Sequence, residues 1–400
     1  MISNRMNSIK PSATLIIGAK AKEMKNKGIK AVDLSAGEPD FHTPNHIKNA
    51  GIEAINNNQT YYTAVAGIAP LRDAISNYLF RKNGVRFAQN EIVVSVGAKQ
   101  AIFNAIMSII NPGDEVIIPA PCWVSYAEMV SIADGKSVII PPEKEERFKL
   151  LPSALQNAIT PQTKCLILNS PNNPTGVVYN KDELHAIGNI LKEHPEIMVI
   201  SDEIYTEIFF GQDKVHTLLE LFPDMKDRII VINGVSKAYS MTGWRIGYVA
   251  CNNAVANAIS TLQSQSTSSA STMSQYAALA ALNGDQSCIK DYVKSFKARQ
   301  QKAENILSKS PLLDVYIGEG TFYLFVGCEK VIGMTTPKGK VISNSIDFSQ
   351  YLLEDYLVAT VPGEAFCANG FFRISYAISA EELVKGCNNI VEACNALVMN

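Results

Sequence analysis

Charge is what this sequence has least of. Only 18% of its 400 residues are Asp, Glu, Lys or Arg, and 36 basic against 38 acidic residues leave a net charge of −2. Soluble domains average about 25% charged residues. A near-neutral chain offers no basic stripe to follow a phosphate backbone, so a nucleic-acid partner is not expected. No run of about 18 apolar residues is available to cross a bilayer, and the first ten residues lack the apolar core of a signal peptide. The eight cysteines (122, 165, 251, 288, 328, 367, 387 and 394) include no C-x-x-C pair, and the five histidines (42, 46, 185, 194 and 216) share no metal-ligand spacing with them. The expectation is a soluble, cytoplasmic protein with reduced thiols and no metal.

Three catalytic signatures are missing as well. In the nearest approach to the dinucleotide fingerprint, Gly318-Glu319-Gly320, Tyr323 stands where the third glycine belongs. Five residues rather than four separate Gly333 from Gly339, and Lys340 is followed by Val341, so Gly333–Lys340 is no P-loop. No G-x-S-x-G occurs, which argues against an α/β-hydrolase.

What is present is apolar and alternating. Hydrophobic residues make up 47% of the chain, too many for disorder, and its length suggests two domains. Strands are expected at 91–95, 115–118, 164–168, 197–201, 228–232 and 246–250. Helical patterns fall between several of them, as at 101–110 and 181–192. Strand–helix alternation with strands apolar throughout predicts an α/β fold whose mostly parallel sheet is covered on both faces. From about Ser287 the pattern changes: a long helix over 287–308, then 315–327, a loop-like 333–343, a strand over 371–376 and a helix from Ala380. That reads as a second, α+β domain.

Polar clusters follow four strands: Gly97-Ala-Lys-Gln100, Asn169-Ser-Pro-Asn-Asn-Pro-Thr-Gly176, Ser201-Asp-Glu-Ile-Tyr205, and Asn233-Gly-Val-Ser-Lys237 with Met241-Thr-Gly-Trp-Arg245. Open α/β sheets bind ligands beyond the carboxyl ends of their strands, so these loops are expected to converge on one crevice. In these motifs, and in Lys10-Pro-Ser-Ala-Thr14, Ser35-Ala-Gly-Glu-Pro-Asp40 and Arg373-Ile-Ser-Tyr376, the chain resembles the class I/II aminotransferases, which use pyridoxal 5′-phosphate (PLP). It is most similar to the bacterial aspartate aminotransferases of the aspartate/prephenate subgroup. The resemblance spans nearly the whole chain. It implies the PLP-dependent transferase fold, with a seven-stranded, mostly parallel sheet flanked by helices. It further implies a large domain over 46–286 and a small α+β domain built from 1–45 and 287–400.

Residue by residue, the resemblance makes Lys237 the Schiff-base lysine and catalytic acid–base, with Ser236 beside it. Asp202 partners the pyridine nitrogen. Tyr205 and Asn173 hydrogen-bond the 3′-oxygen, and Trp123 stacks on the ring. The phosphate falls to Gly97, Ala98 and Lys99 at a helix start, to Arg245, and to Tyr62 reaching over from a neighbouring subunit. Arg373 grips the substrate α-carboxylate, with the Gly37 backbone close by and with Asn173 and Trp123 beside the substrate. Lys99, Ser12 and Thr14 match the residues that contact a distal carboxylate. Ala98 and Cys122 depart from the family pattern, where glycine and tyrosine are common, and bear on fine specificity. The implied reaction is a ping-pong transamination of L-aspartate with 2-oxoglutarate, giving oxaloacetate and L-glutamate. Prephenate, aromatic, alanine or kynurenine transamination, and a PLP-dependent C–S lyase, are the alternatives on this fold. A PLP-binding sensor is the alternative of another class. The implied assembly is a homodimer with shared sites, which would account for the low charge.

Overall fold

A computed structural model describes residues 2–7 and 9–399. The chain begins with a helix, Ala13–Asn26, and a two-residue strand β1, Val32–Asp33. Seven strands then form the central sheet: β2 (Ile92–Val96), β3 (Glu115–Pro119), β4 (Lys136–Ile140), β5 (Thr163–Asn169), β6 (Met198–Asp202), β7 (Ile229–Gly234) and β8 (Ile246–Ala250). Their order is β2-β8-β7-β6-β5-β3-β4. Only β8 runs against the others.

The expected architecture is therefore the observed one, with most strand bounds moved by a residue or so. β4 is an additional strand: it lies at the sheet edge with its first residue exposed, so its pattern lacks the continuous apolar run of a doubly covered strand. In β5, Leu166 and Leu168 enter the core on one face while Cys165 and Ile167 enter the core on the other. That two-residue alternation between two cores is why the sheet strands carry almost no charge.

Helices cover both faces. The one over Gly97–Ile109 follows β2 without a loop. Asn180 caps Lys181–Glu193 by accepting from the Glu183 N–H, and the Glu183 carboxylate returns to the Asn180 N–H.

The later part of the chain folds as expected into mixed α and β. A helix over Ser287–Leu307 precedes β9 (Asp314–Tyr316) and β10 (Tyr323–Gly327). Then come β11 (Val358–Ala359), β12 (Val361–Pro362), β13 (Phe371–Ser375) and the helix Ala380–Asn395. Strands β12-β13-β10-β9 make an antiparallel sheet, while β1 pairs in parallel with β11 through Val32↔Val358. The segment read as a loop, 333–343, holds only isolated bridges such as Thr335↔Val341. No helix among the described residues is long and apolar enough to cross a membrane.

Candidate active site

Register fixes the floor of the site. Asn169 and Asp202, the last residues of β5 and β6, are paired neighbours, and Asp202 stands opposite Ile232 of β7. The loops beyond these ends, the start of the Gly97–Ile109 helix, residues 33–38 and strands β10 and β13 enclose one cavity of about 530 Å3.

Lys237 lies three residues beyond β7. Its Nζ donates to the Gly37 carbonyl at 2.5 Å. Burial, helped by the Arg245 and Arg373 guanidiniums, pulls its amine down to about 8, although Glu38 and Asp202 oppose the shift.

Asp202 is buried, and Oδ2 accepts from the Tyr126 hydroxyl at 2.6 Å while Oδ1 accepts from the Ile204 N–H at 3.2 Å. Burial pushes its carboxyl up to about 6 against these two bonds and the Lys237 amine. A buried acid in that state gains from any cation placed beside it.

Gly97, Ala98 and Lys99 open the helix, and Ala98 and Lys99 line the cavity together with Arg245. Gly97 has φ +81°, a left-handed conformation that favours glycine, and the Arg245 guanidinium lies directly against it. Arg245 is itself left-handed (φ 59°) and donates to Thr242 O at 2.8 Å and Val96 O at 3.3 Å. Gly247 of β8 packs against the Gly97–Ala98 backbone with no room for a side chain. Lys99 is held 4.9 Å above the Trp123 ring. Burial and then Arg245 lower its amine pKa.

Arg373 sits in the middle of β13, paired with Phe325 and Val361, and is 2% exposed. It donates to Asn173 Oδ1 and to Ser35 O, both at 2.8 Å, and its guanidinium lies 4.1 Å from the Tyr323 ring centroid. Its Nε has no partner, and no carboxylate among the described residues pairs with it. A buried guanidinium left in that condition is costly unless an anion completes it.

Eleven of the residues singled out in the sequence line the cavity: Gly37, Ala98, Lys99, Trp123, Asn173, Asp202, Tyr205, Ser236, Lys237, Arg245 and Arg373. Gly97 lies directly beneath Arg245. Tyr62 is 92% exposed and does not line its own chain's cavity. Ser12 occupies the N-cap of the Ala13–Asn26 helix, and the residues of that helix that line the cavity are Gly18, Ala19 and Lys22, about two to three turns further on. Thr14 lies in the same helix, with its side chain outside the described residues.

Two wall residues escaped the sequence reading. Tyr126 had a signal, since it stands three residues after Trp123 in the same segment. Tyr323 had none: it sits in the apolar run Tyr323-Leu-Phe-Val326, yet its hydroxyl meets that of Tyr205 at 3.0 Å.

With this geometry in hand, comparison with known proteins is direct. Residues 29–390 match the family model for aminotransferases of class I and II. The chain is 50% identical over 397 residues to a probable aspartate/prephenate aminotransferase of Rickettsia bellii, covering 99% of this chain and 100% of that one. It superposes with a TM-score of 0.96 and 43% identity on the crystal structure of the Rhizobium meliloti aspartate aminotransferase, covering 100% of both chains. For the Thermus thermophilus aspartate aminotransferase solved with maleate the values are 0.91 and 37%, over 98% of this chain and 99% of that one. The chain belongs to the class I and II aminotransferases and is an aminotransferase on the aspartate aminotransferase fold.

Proposed function

We propose that this protein is a PLP-dependent L-aspartate:2-oxoglutarate aminotransferase. The residues fit the cofactor. A helix start whose backbone admits no side chain at Gly247 adjoins Arg245, a buried acid waits at Asp202, and a lysine amine is depressed to about 8 at Lys237. When bound, PLP supplies an aldehyde that condenses with amines and a ring that withdraws electrons.

Lys237 would hold that aldehyde, and Asp202 would keep the ring nitrogen protonated, itself oriented by Tyr126. The Gly97–Lys99 helix start and Arg245 would bind the phosphate, with Ser236 alongside. Tyr205 and the Asn173 amide would hydrogen-bond the 3′-oxygen, and Trp123 would cover the ring. Arg373 would receive the α-carboxylate in its bidentate fork, next to Gly37. The free Lys237 amine then accepts the substrate Cα proton as general base and delivers it again as general acid.

One observation carries the choice of a dicarboxylic substrate. Arg373 and Lys99 are two cations on one cavity, and neither has a carboxylate partner among the described residues. Maleate, the molecule in the Thermus thermophilus structure, is a dicarboxylate of the same class. Prephenate also carries two carboxylates and is the second reading. An activity panel decides between them: aspartate, glutamate, tyrosine and alanine as donors and prephenate as acceptor. Aspartate is expected to lead; comparable rates with alanine and none with aspartate overturn the assignment.

The proposal includes a homodimer in which Tyr62 reaches the phosphate of the other subunit, and its exposure leaves it available for that contact. It also includes the division into 46–286 and 1–45 with 287–400. In its support, β1 pairs with β11, and one core unites Val32 and Leu34 with Leu383 and Ile390. All eight cysteines are unpaired, in keeping with a cytoplasmic location.

A further inference from the structure

Cys367 is the one exposed cysteine of the eight, and it is not alone. The Cys122 N–H donates to the Phe366 carbonyl at 3.1 Å, which by covalent geometry holds the Cα atoms of Cys122 and Cys367 within about 7 Å, inside the reach of a disulfide. The two thiols are neighbours and act on one another, the buried Cys122 being pushed up and Cys367 brought down. Cys367 is turned into this position by a left-handed residue conformation (φ 60°) that ends the short turn Gly363–Phe366.

We propose that Cys122 and Cys367 are an oxidation site of this protein, closing a reversible disulfide across the seam between two walls of the active-site cavity. Cys122 immediately precedes Trp123, which lines the cavity. Cys367 immediately follows Phe366, whose ring lies 5.1 Å from the Arg373 guanidinium. A bond at this seam ties the wall that carries Trp123 to the one that carries Arg373, and removes the relative motion that admitting and enclosing a substrate requires.

The two thiols differ in a way that orders the reaction. The neighbouring Cys122 thiol and then the Lys10 ammonium bring Cys367 down to about 7 against burial and Glu128, which makes it the more acidic and more nucleophilic of the two. Burial pushes up the thiols of Cys165, Cys251, Cys328, Cys387 and Cys394, which stay protonated and inert. With a hydroperoxide as oxidant, the Cys367 thiolate attacks the peroxide oxygen. The O–O bond breaks and, for hydrogen peroxide, hydroxide leaves. The Cys122 sulfur then attacks the Cys367 sulfenic sulfur, the S–O bond breaks and hydroxide leaves with the Cys122 proton as water. Two thiols and one hydrogen peroxide thus give one disulfide and two waters, and a dithiol reductant reverses the change.

The test treats the reduced holoenzyme with equimolar hydrogen peroxide, alkylates the remaining thiols and maps the peptides without reduction. The expected product is one cross-linked pair joining the Cys122 and Cys367 peptides, with transamination slowed about five-fold or more and restored by dithiothreitol. Cys367→Ser is expected to transaminate normally and to ignore the oxidant. Cys122→Ser is expected to stop at the Cys367 sulfenic acid, captured by dimedone. If Cys122→Ser does not fold, alkylation of wild-type Cys367 against pH serves instead, with an inflection at about 7 expected. Over-oxidation of Cys367 with Cys122 still free, or a cross-link to another molecule, overturns the site. A cross-link that leaves turnover unchanged overturns the locking of the walls.

Discussion

Arg373 donates to Oδ1 of Asn173 across 200 positions of sequence, joining the strand that holds the buried guanidinium to the loop after β5. The two residues thus orient one another. With Oδ1 occupied, the Asn173 amide nitrogen is left for a ligand, and the guanidinium plane is fixed before any carboxylate arrives. Hydrogen bonds to a charged group contribute about 1.5–3 kcal/mol. Asn173→Ala is therefore expected to raise KM for every amino donor alike and to lower kcat/KM about ten- to a hundred-fold. Steady-state kinetics with aspartate and with an uncharged donor check this, and a loss confined to aspartate contradicts it.

Lys237→Ala removes the amine proposed to hold the aldehyde and to move the Cα proton. Turnover is expected to fall by roughly 10⁴-fold or more. Borohydride followed by intact mass should find no PLP attached to the variant chain. In the wild-type apoenzyme the rate of cofactor attachment should rise with pH and level off above about 8, because the neutral amine is the nucleophile.

Lys99→Ala separates the distal carboxylate from the rest of the substrate. Aspartate use is expected to drop by about ten-fold or more, and tyrosine or alanine use much less. Equal losses in a kinetic comparison would show that Lys99 serves only the phosphate end of the cavity.

Glu203 is buried next to Asp202, and burial pushes its carboxyl up to about 7 although Ser201 donates to it at 2.9 Å. The folded chain thus holds this proton more tightly than the unfolded chain, whose glutamate titrates near 4.5. Stability from this group is full below the unfolded value and is lost as pH rises through about 7. Glu203→Gln should therefore match the wild type at pH near 4 and exceed it at pH near 8, by on the order of 2–3 kcal/mol. Urea midpoints at the two pH values measure the difference. An equal gap at both would trace the effect to packing rather than charge.

Tyr62 is 92% exposed in the single chain. Light scattering is expected to give a dimer, and Tyr62→Phe should weaken PLP binding by about ten-fold, the cost of one hydrogen bond to a charged group. Mixing Tyr62→Phe chains with Lys237→Ala chains should then rebuild some sites with both residues intact. A monomer with full activity would exclude a shared site.

Much of this protein was legible in the order of its residues. The sheet strands announced themselves because burial on both faces leaves them continuous apolar runs, as in Leu166–Leu168. The polar clusters that follow β2, β5, β6 and β7 announced the site, since chemistry has to sit where those runs stop. β4 was not legible, because it opens on the exposed Lys136 and is only partly buried, so it lacks such a run. Tyr323 was not either, because a hydroxyl on a core strand looks like any other core aromatic until its partner, here Tyr205, is known.

By itself the sequence determined the fold class, through its strand–helix periodicity, and the family likeness with the site residues it implies, through the residues of its motifs. Only the tertiary structure decided which groups meet. It brought Arg373 to Asn173, Tyr126 to Asp202, Tyr323 to Tyr205 and Cys122 to Cys367, pairs separated by 76 to 245 positions. Such pairings depend on strand order and on how the chain ends pack against the sheet. No local pattern encodes them, and they set the charge state and the freedom of motion of every group in the site.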